Sequence, residues 1–218
     1  MGRITLPIFD QKQSIVGFGG RAVESSQQAK YVNSSDSFIF SKRRCLFGLN
    51  RLKSPGDLVL VVEGYFDVLS LHQAGFTNTV GLLGTELSNE HVKALERLAH
   101  NVTFIFDGDE GGKSALLKCL KAPLKNINAR ATLLPQGDPD EFIRTGKTVE
   151  LEKLIGRAKG IREASIEIIK QRAKDEKLDD LAEEVAKIAS EVADGVEASL
   201  FADEAAKALN IPPWVLQE

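Results

Sequence analysis

The run from Asn101 to Gly112, NVTFIFDGDEGG, constrains this chain more than any other stretch. Val102 to Phe106 is apolar, β-branched and aromatic, so it reads as a buried strand. It stops at Asp107-Gly108-Asp109, followed by Glu110 and two glycines. A buried strand that ends in alternating carboxylates sets both acids at the carboxyl edge of a sheet, where open α/β folds keep their sites. Two such charges repel, so the arrangement asks for a cation or a proton nearby. The glycines let backbone or ligand come close.

The same punctuation recurs. Leu58 to Val62, LVLVV, lacks alternation, as a strand of a parallel sheet does, and runs into Glu63-Gly64-Tyr65-Phe66-Asp67. Val68 to Ala74 reads as a helix stopped by Gly75. Thr79 to Leu83 reads as a strand ending at Gly84-Thr85, and Ser88 as the N-cap of a helix from Asn89 to Ala99. A helix near Lys113 to Leu120 and a strand from Ala129 to Leu134 follow, the latter ending in Pro135-Gln136-Gly137-Asp138-Pro139-Asp140. The order β-α-β-α-β-α-β predicts an α/β fold with a parallel, helix-covered sheet. Glu63, Asp67, Thr85, Asp107, Asp109, Asp138 and Asp140 then meet on one edge. Carboxylates gathered this way suit a hard cation such as Mg²⁺, which takes oxygen ligands and shares them with substrate phosphates. Two such ions about 3.5–4 Å apart can serve an in-line phosphoryl displacement. The competing reading makes the acids N-caps of the following helices, and Asp67 in particular reads as a brace of its own turn.

Charge is unevenly spread. Residues 1–56 hold nine Lys/Arg against three Asp/Glu, and residues 147–218 hold eleven against sixteen. A basic front suits a polyanion, although chance surface charge gives the same count. RITLPIF (residues 3–9) reads as a strand with Pro7 at an edge or bulge, and IVGFGGRAV (15–23) as a second. Gly17, Gly19 and Gly20 in that second run mark a bulge or a close approach. Ser25 to Ser37, which includes Lys30-Tyr31-Val32-Asn33-Ser34, reads as a loop. Phe38 to Leu49 sets Lys42-Arg43-Arg44 beside Phe40 and Phe47. That is either a seat for phosphates and bases or a solvated turn over core aromatics. A Ser54-Pro55-Gly56-Asp57 turn closes this part. From Val149 onward, apolar residues recur at helical spacing among many charges, which predicts a helical appendage whose last helix stops at Pro212-Pro213. At 218 residues the chain can hold one substantial core and a smaller satellite. Cys45 and Cys119 have no metal-ligand spacing and read as reduced thiols. With no apolar run long enough for a bilayer and no signal peptide after Met1-Gly2-Arg3, a cytoplasmic protein without membrane contact is expected.

Three rival motifs fail on spacing. A P-loop needs glycine where Asp107 stands, and a calcium loop needs glutamate where Lys118 stands. An aspartyl phosphotransferase leaves Glu63 unexplained. The set Glu63-Gly64-Tyr65-Phe66-Asp67, Leu83-Gly84-Thr85, Phe106-Asp107-Gly108-Asp109 and Asp138-Pro139-Asp140 resembles the Toprim domain. More narrowly, it resembles the RNA polymerase core of bacterial DnaG-type primases. Gly17 to Arg21, Lys30 to Ser34 and Phe40 to Leu49 are similar to that family's basic motifs. The resemblance covers about residues 3–146.

The resemblance implies a Toprim parallel sheet flanked by helices (57–146), a small mixed α+β basic N-terminal subdomain (1–56) and a C-terminal helical subdomain (147–218). It implies template-directed synthesis of short RNA primers on single-stranded DNA at the replication fork, from nucleoside triphosphates and with Mg²⁺ or Mn²⁺. Glu63, Asp107 and Asp109 would be catalytic. The metal would take Glu63, Asp107, Asp109, Asp138 and Asp140. Arg21, Lys30, Asn33, Lys42 and Arg43 would hold nucleotide or nucleic acid, and Asp67 and Thr85 would support the site. The family's zinc module has no Cys/His cluster here. A part of the core before Arg3 and a domain that binds the replicative helicase would lie outside this chain. Two rivals stay open: a Toprim-type metal-dependent nuclease and a non-catalytic module for single-stranded nucleic acid. A topoisomerase would need a tyrosine nucleophile, and only Tyr31 and Tyr65 are present.

Overall fold

The computed structural model describes residues 2–23, 29–52, 56–84 and 86–216. Two sheets carry the fold. The first is antiparallel, in the order β1-β2-β3, from β1 (Arg3–Phe9), β2 (Ile15–Ala22) and β3 (Tyr31–Asn33). Strand β3 lies where a loop is expected from the sequence. Its three residues pair with Gly19 to Arg21, a segment too short to show a period. The glycines of β2 serve a close approach, and what approaches is aromatic. A Cβ on Gly17 would lie 2.9 Å from the Phe40 ring, and one on Gly19 would lie 2.4 Å from the Tyr65 ring.

The second sheet contains β4 (Leu58–Val62), β5 (Thr79–Gly81), β6 (Asn101–Phe106), β7 (Asn128–Leu133) and β8 (Lys159–Gly160), in the spatial order β5-β4-β6-β7-β8. The first four are parallel as expected, and β8 adds an antiparallel edge. Helices cover both faces. Val59, Val61, Val102, Phe104 and Phe106 face α2 (Asn89–Leu98), α3 (Glu110–Cys119), α6 (Ile161–Arg172), α7 (Leu178–Ser190) and α8 (Gly195–Leu209). Leu60, Val62 and Ile105 face α1 (Tyr65–Gln73), α4 (Pro139–Arg144) and α5 (Thr148–Gly156), together with Ile8 and Phe40. Burial on both faces is why these strands read as continuous apolar runs.

Several expectations need adjustment. Strand β5 stops at Gly81 because Leu83 and Gly84 take φ of 60° and 67°, which no strand continues through. Its outer edge is sealed by Phe47, which exchanges two 2.9 Å backbone hydrogen bonds with Gly81. Helix α3 starts at Glu110 rather than near Lys113, since Asp109 caps it and both glycines lie inside it. Helix α4 has only six residues, too few for periodicity to reveal. The region after Val149 is not an appendage: Ile161, Ile169, Leu181, Val185 and Phe201 are buried in the same apolar cluster as β4 and β6. Helical spacing marks an apolar face but not what covers it. Both cysteines are free thiols. Among the described residues no helix is long and apolar enough to cross a membrane.

The turn after β6 is tightly packed. Gly108 donates its N–H to the Gly137 carbonyl at 2.8 Å, and a Cβ there would stand 2.4 Å from Gln136 Cα and 2.6 Å from the Leu134 oxygen. Gly108→Ala is therefore expected to cost about 1–3 kcal/mol, because backbone must shift. Gly156→Ala, where a Cβ meets nothing within 4 Å, should be neutral or slightly stabilising. Thermal melting of the two variants checks the contrast.

Candidate functional site

The strand order brings the acids together. Strands β4, β6 and β7 are neighbours, and they deliver Glu63, then Asp107 and Asp109, then Asp138 and Asp140, to one edge. Three of the acids orient turns. Asp109 accepts from Gly112 N at 2.8 Å and caps α3. Asp138 accepts from Glu141 N at 2.8 Å and caps α4, with Pro139 at the first helical turn. Asp67 accepts from Gly64 N at 2.9 Å and closes the turn into α1. It also accepts from Asp140 N at 3.4 Å, so it braces two turns at once. Asp140 takes hydrogen bonds from the Ser70 hydroxyl and from Arg144 Nε at 3.2 Å. The capping reading and the clustering reading are thus both realised, on different oxygens.

Two oxygens are left over. Glu63 Oε1 and Asp107 Oδ1 are buried without a hydrogen-bond partner among the described residues. A carboxylate in that state is costly unless it is protonated or meets a cation. Asp107 is accordingly pushed up to about 8, first by burial and then by the negative charges of Asp67, Glu63, Asp138 and Asp109. Asp67 rises to about 6 through burial and then Asp138, with the N–H groups of Asp140 and Gly64 pulling it back. Glu63 is raised by burial, then by Asp67 and Asp109. Among the described residues no three His, Cys, Asp or Glu side chains already form a metal cage. A hard cation that keeps several waters beside its carboxylate ligands fits such a donor set.

The cationic candidates divide into two groups. Arg21 on β2 lies over the Phe66 ring at 4.1 Å from its centroid and over Tyr31 at 5.8 Å. Tyr31 feels Arg21, Asp67, Asp138 and Asp140, although burial is what chiefly raises its pKa. Lys30 Nζ is 5.8 Å from the Tyr31 ring centroid. Asn33 accepts from the Tyr65 hydroxyl and donates to the Leu83 carbonyl at 3.4 Å, so its side chain stitches β3 to the strand ends. Lys42 and Arg43 sit apart from these, at the start of α2, where their carbonyls accept from His91 Nε2 at 2.9 Å and Ser88 Oγ at 2.5 Å. Thr85 lies outside the described residues.

Sequence reasoning overlooked the fasteners. His91 is fully buried and neutral, kept so by burial, and its Nδ1 accepts from Ser88 N at 3.3 Å. Its only signal is its place three residues after the N-cap, where a capping box reaches back. Ser70 carried no signal, and nothing in the sequence pairs Phe66 with Arg21, since the partners of both are distant in sequence.

Comparison with known proteins agrees with this geometry. The chain matches the family model described as Toprim domain over residues 57–134, and that described as DNA primase catalytic core, N-terminal domain, over residues 1–53. It is 40% identical over 162 residues to the DNA primase of Legionella pneumophila, an alignment covering 70% of this chain and 28% of that protein. It is similar to the crystal structure of a DNA primase domain from Pseudomonas aeruginosa, with 31% identity and a TM-score of 0.77, over 98% of this chain and 70% of that one. It is also similar to a structure of the DnaG primase catalytic domain bound to ssDNA, with 27% identity and a TM-score of 0.70, over 96% and 69% of the two chains. The chain spans less than half the length of the curated relatives it matches.

The buried acids set a pH dependence. Asp107 and Asp67 hold protons in the folded state up to about 8 and about 6, whereas the unfolded chain releases them near the ordinary value of 3.8. The folded state therefore binds more protons between these limits, and its stability falls as pH rises from about 4 to about 8. In chelator, urea melts at pH 5.5 and pH 8 should show wild type losing stability across the interval. Asp107→Asn should lose distinctly less; an equal loss in both proteins would contradict the assignment.

Proposed function

The chain belongs to the family of bacterial DnaG-type primase catalytic cores, and from that premise we propose that it carries out the nucleotidyl transfer that makes short RNA primers on single-stranded DNA. The observation that carries this reading is the pair of buried oxygens without a partner among the described residues, Glu63 Oε1 and Asp107 Oδ1, at adjacent strand ends. In this proposal Mg²⁺ or Mn²⁺ is held by Glu63, Asp107 and Asp109, with Asp138 and Asp140 completing the acidic set. When bound, the ion supplies charge neutralisation at the reacting phosphate.

The chain's own residues do the rest. Glu63, as a carboxylate at the end of β4, would also be placed to accept a proton from the attacking 3′ hydroxyl. The 3′ oxygen bonds to the α-phosphorus of the incoming nucleotide, the bond to the β-phosphate oxygen breaks, and pyrophosphate leaves. Asp67 holds the turns after β4 and β7 in register through the Gly64 and Asp140 N–H groups. Arg21, Lys30, Asn33, Lys42 and Arg43 hold triphosphate and nucleic acid, and Arg21 does so from a fixed position over Phe66. Positioning and charge neutralisation together account for the rate. The proposed partners are a single-stranded DNA template and nucleoside triphosphates; a replicative helicase partner rests on the family alone. The cytoplasmic replication fork is the proposed location. Residues 1–56, 57–146 and 147–218 are proposed as the basic, Toprim and helical parts of the core.

The test has two readouts. Glu63→Gln and Asp107→Asn should each cut primer synthesis on single-stranded DNA in Mn²⁺ by more than roughly 100-fold. Each should also weaken Mn²⁺ binding, read by titration calorimetry, by at least about 10-fold while circular dichroism stays unchanged. Asp67→Asn should have the smaller effect on both. Normal Mn²⁺ binding in both Glu63→Gln and Asp107→Asn would end the metal assignment. Metal-dependent cleavage of labelled DNA with no nucleotide incorporation would replace synthesis by the nuclease reading.

A further inference from the structure

We propose that Phe38 is a stacking platform for an unpaired nucleobase of the strand that runs along the acidic rim. This rests on the nucleic-acid reading above and goes beyond it by naming the contact that meets a base rather than a phosphate. Phe38 is 104% exposed and its neighbour Ile39 is 69% exposed, whereas Phe40 is 1% exposed. Folding explains Phe40, whose ring packs over Gly17 of β2. It does not explain an aromatic side chain standing entirely in water two residues earlier.

The turn that presents Phe38 is fastened on every side. Ser37 N donates to the Phe40 carbonyl at 2.7 Å, and Phe40 N donates to Ser37 Oγ at 3.2 Å. Arg44 Nη2 donates to the Ser37 carbonyl at 3.3 Å, and Ser41 Oγ donates to Asp36 Oδ2 at 3.1 Å. The ring is thus held out by a defined turn.

Its surroundings fit one ligand chemistry. The segment starts from Asn33, bound to Tyr65 at the first residue of α1, and it reaches Lys42 and Cys45, whose carbonyls accept from His91 near the start of α2. Both helices follow the carboxyl ends of β4 and β5, so the turn lies toward the end of the sheet at which Glu63 leaves β4. Lys42, Arg43 and Arg44 follow at once, and among the described residues none of them enters an ion pair. Cations beside a bare aromatic face are what a single strand needs: phosphates meet the charges and a base meets the ring.

The test separates base from phosphate. Binding of a fluorescent oligothymidylate and of an abasic strand of equal length is measured across a salt series. Phe38→Ala should weaken the thymidylate strand by about fivefold or more, leave the abasic strand unchanged and keep the salt slope. Phe38→Trp should restore binding. Lys42→Ala should weaken both strands alike and flatten the slope. A side chain this exposed should leave the melting temperature unchanged. Equal binding by wild type and Phe38→Ala, or an equal loss on both strands, overturns the stacking role while the site reading stands. Wild type that binds neither strand overturns the nucleic-acid reading and this inference with it.

Discussion

Strands β4 and β6 are parallel neighbours, in register from Leu58 against Asn101 to Val61 against Phe104. That pairing brings the residues that follow them, Glu63 and Asp107, to the same rim. Both strands are buried on both faces, and Glu63 and Asp107 at their ends are themselves half-buried. Like charges that would be screened in solvent are here forced to share a poorly solvated edge. Protonation relieves the repulsion at low pH, and a hard cation relieves it once the carboxylates are ionised. Either way the apolar core fixes the geometry first and the carboxylates must accommodate it. The core can impose that cost because it is large. One apolar cluster runs continuously from the sheet through α6, α7 and α8.

The same rim explains how the first sheet is attached. The sheet is small, and two of its inward glycines leave room for the rings of Phe40 and Tyr65. Tyr65 belongs to the strand-end turn itself, packs edge-on against Phe47 and bonds to Asn33. Arg21 stacks on Phe66, the next residue in that turn. One five-residue turn, Glu63 to Asp67, therefore carries an acid into the site, a second acid that braces neighbouring turns, and two rings that seat the basic sheet. A change at Tyr65 or Phe66 would reach the cations of β2 and β3 without touching a carboxylate.

Much of this was legible in the sequence. Continuous apolar runs announced a doubly covered parallel sheet, and the acids at their ends announced which edge matters. Local chemistry was also readable: Ser88 caps α2, and Gly75 takes a positive φ after α1. What escaped depends on contacts between residues far apart in the chain. Strand β3 has three residues and no pattern of its own, and its existence depends on the edge that β2 offers. Strand β8 has two residues, and it pairs with β7 only because α5 leads the chain back to that edge. The helical tail showed its apolar stripe but not its destination. At the site, the motif marked which acids gather but not which oxygens remain free. That depends on turns such as Gly108 against Gln136, where backbone packing decides which way a side chain points.

The acids at the rim divide their labour by the number of N–H groups each receives. Asp109 and Asp138 each accept one from the helix they begin, and Asp67 accepts from Gly64 and Asp140. Those bonds fix their directions and leave the helices stable without any ligand. Glu63 Oε1 and Asp107 Oδ1 receive none, so no donor among the described residues compensates them. A site built this way is organised before its ligand arrives, because the capping acids already hold the backbone that carries the free ones. It is also unspent, because the free oxygens lose no hydrogen bond when a cation takes them. Preorganisation of the first kind and availability of the second are separate properties, and here they fall to different residues of one short edge.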